Sequence, residues 1–263
     1  MPIRVDQRVR ATQDRLGDLD ALLVGDPTNI RWLTGFTGSN AMVVLQSDRV
    51  VLVTDGRYGA QAERQLSAAG CDAEVRVAHT SSELLSLAID SLETNGRVGF
   101  ESAHTTHQRY VQLGAAVNGE LVGVAGIVEA GRRCKDVAEI ERIAEACRIA
   151  DAALAMVAPS IMPGATEVSI RNDLERVMRE LGADGPSYET IVATGPANAP
   201  LPHHRPTKTV IEAGHTVIID VGALVDGYHS DMTRTFVVGE PTALQHEVYE
   251  AVLAAQRAGI DAV

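Results

Sequence analysis

The apolar and polar positions in the first half of the chain alternate between short, Val-rich runs and stretches of helical spacing. Two segments, Gln61–Ala69 and Ser82–Leu92, repeat apolar residues with the period of an amphipathic helix. Apolar runs bounded by Gly, Asp or Ser predict strands around them. These runs are Ala21–Val24, Ala41–Leu45, Val50–Val53, Ala73–Val77 and Val98–Phe100. The mixture predicts an α/β domain.

The pattern changes at a short charged stretch, residues 130–136, and a long helix is predicted after it. Pro159 ends that helix, because proline cannot continue a helical hydrogen-bond ladder. We therefore place a domain boundary between residues 132 and 133, which gives domains 1–132 and 133–263. The predicted inner face of the helix consists of Ile140, Ile143, Cys147 and Leu154.

The second domain continues with a helix that has Thr166 as its N-cap and ends at Gly182. The runs Thr216–Ala223 and Tyr228–Val238 predict a β-hairpin. A final helix begins at the capping box Thr242-x-x-Gln245. The apolar face of the Thr166 helix is predicted at Ile170, Leu174, Val177 and Leu181.

Composition narrows the class of protein. The chain has 263 residues, of which 45% are hydrophobic and 22% charged, as in soluble globular proteins. Its 23 basic against 35 acidic residues and its 3% aromatic content argue against nucleic-acid binding. We expect neither a signal peptide nor a membrane span, because no apolar run is long enough for either. Three widely spaced cysteines indicate a cytoplasmic protein, in which we expect Cys134 and Cys147 to be free thiols.

The candidate chemistry lies in the hairpin. Asp220 interrupts the apolar run VIIDVGA, and Asp231 lies on the return strand. A reversal between Val225 and Asp226 would place the two aspartates directly opposite, with Cβ atoms ~5 Å apart. Carboxylates at that distance repel unless they share a proton or a cation, so a divalent metal site is predicted. The Asp226-Gly227 dipeptide, however, favours a two-residue turn centred on the bond between these two residues. Directly opposed aspartates therefore also require a bulge or a longer loop.

Two alternatives stay open at this point. Without a metal, the aspartates would be bonded to backbone amides and to Arg234. His203, in LPHHRPT, lies near the junction of a loop with the first hairpin strand. A neutral imidazole there could orient or protonate a substrate, but an ordinary loop histidine fits the spacing as well.

Two long motifs carry a family resemblance. ETIVATGPANAPLPHHRPT and GHTVIIDVGALVDGYHSDMTRTFVVG resemble the pita-bread dimetal peptidases that are specific for proline, namely Xaa-Pro aminopeptidases and Xaa-Pro dipeptidases (prolidases, PepQ-like). NIRWLTGFTGSN and VTDGRYGAQAERQ are similar to the creatinase-type N-terminal domain. The resemblance implies an α/β creatinase-type domain followed by an α+β pita-bread metallopeptidase domain.

The resemblance also implies roles for individual residues. Asp220 would chelate one metal, Asp231 would bridge two metals, and His203 would contact the substrate and steady the tetrahedral intermediate. Tyr188 would lie near the substrate pocket, although a packed tyrosine is an equal alternative. The implied activity is hydrolysis of Xaa-Pro bonds in proline-containing peptides by a metal-bridging hydroxide. Its cofactors would be two manganese, cobalt or zinc ions, in a homodimer.

One departure limits these expectations. The family's metal centre takes five protein ligands, and its histidine and two glutamates follow well after the second aspartate, whereas this sequence ends at Val263. His246, Glu247 and Glu250 have suitable side chains, but we expect them to face solvent. The pita-bread domain is therefore expected to be incomplete and the 263-residue chain inactive by itself. The alternative function is a non-catalytic family remnant that acts as a binding or interaction module.

Overall fold

The first half of the protein forms a six-stranded mixed sheet. The computed structural model describes residues 4–263, and the chain divides into two units between Ala138 and Glu139. The strand order in the first unit is β4-β3-β2-β1-β5-β6, with β2 antiparallel to both of its neighbours and the other pairs parallel. The strands are β1 Ala21–Val24, β2 Ala41–Gln46, β3 Val50–Asp55, β4 Glu74–Ala78, β5 Arg97–Glu101 and β6 Glu120–Val124.

Helices cover both faces of this sheet, as the predicted α/β class requires. Successive residues of the central strands enter opposite cores: Leu22 packs with Trp32 and Phe36, whereas Leu23 packs with Leu84 and Phe100. This alternation follows from the two-residue period of a strand. The helices are α1 Asp6–Gln13, α2 Pro27–Thr34, α3 Gly59–Ala69, α4 Ser81–Asp90, α5 His107–Ala116 and α6 Ile127–Arg132.

The five predicted strands and the two predicted helices of this unit are confirmed. Strand β6 and the helices α1, α2, α5 and α6 were not predicted. Helix α2 had readable signals, because Asp26 caps its first turn, Pro27 begins it and Gly35 ends it with φ +76°. The boundary predicted after residue 132 lies at the end of α6, six residues before the division between Ala138 and Glu139, and it stays a prediction. No helix within residues 4–263 is long and apolar enough to cross a bilayer.

The second unit packs two helices against small antiparallel sheets. Helices α7 and α8 supply most of its helical core, and the two three-stranded sheets have the orders β12-β9-β8 and β11-β10-β7. The helices are α7 Val137–Val157, α8 Glu167–Glu180, α9 Gly195–Asn198 and α10 Ala243–Asp261. The strands are β7 Gly185–Pro186, β8 Ile191–Thr194, β9 Thr216–Val221, β10 Ala223–Val225, β11 Tyr228–His229 and β12 Met232–Val237.

The predicted face of α7 is wrong, except for Leu154. Ile140 is 55% exposed, Ile143 is only partly buried, and Cys147 is exposed and free, as is Cys134. The true inner face is rich in alanine. It consists of Ala146, Ile149, Ala150, Ala153, Leu154 and Val157.

The other predicted elements of this unit are confirmed. Thr166 caps α8 through a capping box with Ser169, and Gly182 follows its end with φ +105°. Ile170, Leu174 and Val177 are buried, whereas Leu181 is half-buried. A second capping box, between Thr242 and Gln245, begins α10.

The predicted hairpin is present, but the directly opposed aspartates are not. Asp226 and Gly227 both have positive φ, at 47° and 77°, and form the two-residue turn that this dipeptide favours. The resulting register pairs Asp220 with Thr233 rather than with Asp231. No bulge shifts the register. Val225 pairs with Tyr228 next to the turn, and the pairs farther along the strands, such as Asp220 with Thr233, have no extra residue on either strand.

We expect Gly227→Ala to destabilise the protein by roughly 1–2 kcal/mol, because a side chain is unfavourable in the left-handed region. Gly114→Ala, in the exposed middle of α5, should instead stabilise it by about 0.5–1 kcal/mol, since open space surrounds that position. Urea unfolding of both variants measures the two effects. Equal effects of the same sign would contradict the turn assignment.

Candidate metal centre

Asp220 lies on the central strand of a three-stranded sheet. Strand β9 runs between β8 and β12, where Asp220 pairs with Ile191 on one side and with Thr233 on the other. The residues before and after it, Ile219 and Val221, are fully buried in the core. Because neighbours in a strand point to opposite faces, the carboxylate of Asp220 lies on the face away from that core.

Asp231 reaches the same face by a diagonal offset. It precedes Thr233, the partner of Asp220, by two residues, and residues two apart in a strand share a face. The hydroxyl of Tyr188 lies between the two carboxylates, 2.6 Å from Asp220 Oδ1 and 3.1 Å from Asp231 Oδ1. The two aspartates are thus brought together by a third residue, and Arg234 donates instead to the carbonyl of Thr233. The metal-free arrangement with Arg234 is wrong.

Backbone pairing places Tyr188. The amide of Ser187 donates to the carbonyl of Gly222, and the Ser187 hydroxyl lies 2.7 Å from the carbonyl oxygen of Ser230. A Cβ atom at Gly222 would lie 2.0 Å from that same Ser230 oxygen, so only glycine permits the close approach. Ser187 therefore joins the segments that carry Asp220 and Asp231, and the next residue, Tyr188, lies between them.

The electrostatics of this cluster keep Tyr188 neutral. Burial and the nearby carboxylates of Asp220 and Asp231 raise the pKa of the Tyr188 phenol far above its usual range. The neutral phenol has a single proton, so it donates to only one carboxylate at a time. Two close carboxylates that share one donor repel each other, which favours a cation between them.

This donor set fits part of a site for a divalent cation. Two carboxylates on one face supply the hard oxygen ligands that magnesium-like and manganese-like ions accept, and zinc also takes carboxylate oxygen. Within residues 4–263, no group of three or more His, Cys, Asp or Glu side chains is arranged to hold a metal. The role of Asp220 and Asp231 as metal ligands therefore stays a prediction.

His203 lies in an exposed turn, and the structure records no hydrogen bond between it and either aspartate. Its loop leaves β8, the strand that pairs with Asp220 through Ile191. The role of His203 therefore stays a prediction. His246, Glu247 and Glu250 are exposed on α10, and no residue of that helix is buried.

Sequence analysis missed a buried carboxylate in this unit. Glu167 is completely buried at the start of α8, and its carboxylate accepts a 2.8 Å hydrogen bond from His204 Nε2. A glutamate directly after the N-cap Thr166 is an ordinary helix-start signal, and nothing in the spacing indicates a partner 37 residues away.

Comparison with known proteins identifies the family. The model of metallopeptidase family M24 matches residues 141–263, and the creatinase/prolidase N-terminal domain model matches residues 7–134. The peptidase YqhT of Bacillus subtilis is 36% identical over 97% of this chain and 70% of that protein. A Xaa-Pro dipeptidase of Pyrococcus furiosus is 40% identical over 54% of this chain and 41% of its own length.

Solved structures show the same two-domain fold. A Xaa-Pro dipeptidase from Bacillus anthracis superposes with a TM-score of 0.87 and 34% identity, over 95% of this chain and 69% of that one. The prolidase of Pyrococcus horikoshii superposes with a TM-score of 0.86 and 28% identity, over 96% and 71%. The predicted fold class, a creatinase-type domain followed by a pita-bread domain, is confirmed.

The fold and the family models define the class, a metallopeptidase of the pita-bread type. The chain belongs to metallopeptidase family M24 and carries the creatinase/prolidase N-terminal domain. Family membership implies divalent metal ions as cofactors.

We expect Tyr188→Phe to lower the free energy of unfolding of the metal-free protein by about 1 kcal/mol, because it removes the hydrogen bond between the phenol and the carboxylates. In an Asp220→Ala background the same substitution should cost less, since the shorter bond is already absent. Tyr249→Phe, which removes an exposed hydroxyl on α10, is the control. Urea unfolding in the presence of chelator should be measured for the wild type and all four variants. An undiminished effect of Tyr188→Phe in the Asp220→Ala background would argue against the shared hydroxyl.

Proposed function

We propose that this protein is a proline-specific metalloexopeptidase that hydrolyses Xaa-Pro peptide bonds. The observation that carries the proposal is the pair of carboxylates, Asp220 and Asp231, held on one sheet face by Tyr188 in a chain of family M24. Similar proteins that are named for Xaa-Pro dipeptidase activity support the choice of substrate. The substrates would be short peptides with proline after the first residue.

Asp220 and Asp231 would hold the divalent ions as negatively charged oxygen ligands. When bound, such ions activate water as a nucleophile and polarise the scissile carbonyl. Manganese, cobalt and zinc all accept this ligand type, so the choice of metal is left to elemental analysis.

The other residues have distinct proposed tasks. Tyr188 stays protonated and fixes the carboxylates through its hydroxyl. His203, exposed in its turn, would contact the substrate and donate a hydrogen bond or a proton as charge develops on the reacting peptide. Metal ligation and substrate contact are thereby divided between the hairpin and the preceding loop.

We expect Asp231→Ala to abolish activity more completely than His203→Ala. The aspartate would be needed to retain metal, whereas loss of an assisting acid or base typically costs ~10²–10⁴-fold in rate. Asp151→Ala, an exposed aspartate on α7, is the matched control and should retain both metal and activity. Elemental analysis after dialysis and Xaa-Pro hydrolysis should be measured on each variant in a form of the protein that carries the family's full set of metal ligands.

Full metal retention and turnover in Asp231→Ala would contradict the metal assignment. Wild-type turnover in His203→Ala would contradict the role proposed for the histidine without affecting the metal assignment.

Substrate length separates the two possible exopeptidase activities. We expect hydrolysis of Xaa-Pro dipeptides, longer Xaa-Pro peptides or both, and none of matched peptides with alanine in place of proline. Preference for dipeptides would define a dipeptidase and preference for longer peptides an aminopeptidase. Absence of hydrolysis by metal-loaded protein, together with peptide binding, would favour the binding-module alternative.

A cytoplasmic location and a homodimer stay predictions.

A further inference from the structure

Glu167 gathers five hydrogen bonds in the interior of the second unit. Its Oε1 accepts from the amide of Thr194 at 2.8 Å and from Asn198 Nδ2 at 2.9 Å. Its Oε2 accepts from His204 Nε2 at 2.8 Å, and from the amide and the hydroxyl of Thr207, each at 2.9 Å. Oε1 thus accepts from donors near the start of the segment 194–207, and Oε2 accepts from donors near its end.

The carboxylate is ionised, as this donor set requires. Burial raises the pKa of Glu167, but the hydrogen bonds, from His204 first, lower it further, so that its pKa lies below the usual range. The position of Glu167 in the first turn of α8 also favours negative charge. The amide of Val168 donates to the Thr207 carbonyl and extends the contact between the helix and the loop.

The loop held by Glu167 is the one that carries His203, residues 195–206, here termed the His203 loop. It begins directly after Thr194, in the strand whose Ile191 pairs with Asp220. Near its other end, Arg205 lies 3.2 Å from Glu189, the residue next to Tyr188. The His203 loop therefore starts and ends beside the segments that carry the aspartate site.

We infer that Glu167 is the positioning residue for His203, acting with His204 to hold the His203 loop in the conformation that presents the exposed imidazole to the substrate. The inference rests on the proposed function for its effect on catalysis. Its structural part, that Glu167 orders the loop, can be measured without activity.

The test substitution is Glu167→Gln. Glutamine has nearly the same shape as glutamate, but its NH2 group replaces one of the two acceptor oxygens. The N–H and O–H donors that now bind that oxygen would then face another donor. The control is Val177→Ala on the same helix, a buried core position that makes no contact through a side-chain hydrogen bond. It should also lower thermal stability, through lost packing, without releasing the His203 loop.

Deuterium uptake of the intact protein gives the first readout. We expect amides of residues 195–208 to exchange at least about tenfold faster in Glu167→Gln than in wild type, because local opening of the loop becomes easier. Val177→Ala should leave that segment close to wild type. Unchanged exchange in folded Glu167→Gln would overturn the inference.

Kinetics of the metal-loaded protein on a Xaa-Pro substrate give the second readout. We expect Glu167→Gln to reduce kcat by roughly 10–100-fold in the wild-type background and by less than about twofold in a His203→Ala background, because it acts through that histidine. An equal reduction in both backgrounds would overturn the inference. Full turnover in His203→Ala would contradict the catalytic role of His203, whereas absence of hydrolysis by wild type and all variants would contradict the proposed function. In either case the exchange measurement alone decides on loop ordering.

A second pair of variants covers the case in which Glu167→Gln does not fold. His204→Gln keeps an N–H donor for the carboxylate, whereas His204→Leu removes it from a buried position. We expect exchange of residues 195–208 to stay near wild type in the former and to rise in the latter. Equal exchange in both variants would show that the bond between Glu167 and His204 does not order the loop.

Discussion

The register of the β9–β12 hairpin is the constraint on which the candidate site depends. The turn at Asp226 and Gly227 fixes which residues face each other, since a shift by one residue would send one aspartate to the opposite face of the sheet. Asp220 and Asp231 therefore meet diagonally and leave room for the phenol of Tyr188 between them. The turn thereby also fixes how the two carboxylates lie relative to the hydroxyl of Tyr188.

Much of the fold was predictable because strands and helices in this chain follow simple periods. Local sequence pattern predicted five of the six strands of the first unit, the capped helices at Thr166 and Thr242, and the hairpin. The buried face of helix α7 was predicted wrongly because large apolar residues are a stronger sequence signal than alanines. Ala146, Ala150 and Ala153 lie on its buried face. Strand β6 was missed because it is short, contains glycine and has no fully buried residue.

The site was predictable only in part, since its residues come from distant segments. Asp220 and Asp231 stood out because carboxylates in an apolar hairpin are unusual, and the family motifs added Tyr188 and His203. The diagonal geometry depended on backbone register, which two competing turn placements left open. The role of Glu167 could not be predicted from the sequence pattern, because its hydrogen-bond partners become neighbours only after the chain has folded. These partners are Thr194, Asn198, His204 and Thr207.

Helix α10 differs from the helices of the core in what stabilises it. None of its residues, Ala243–Asp261, is buried, and Gln245 ties only its first turn to Gly214 and Thr216. Its helical state is therefore supported mainly by the capping box and by intrinsic helix propensity, rather than by burial of an apolar face. A segment with so few buried contacts opens at a lower free-energy cost than the sheet and α8, starting from its C-terminal end.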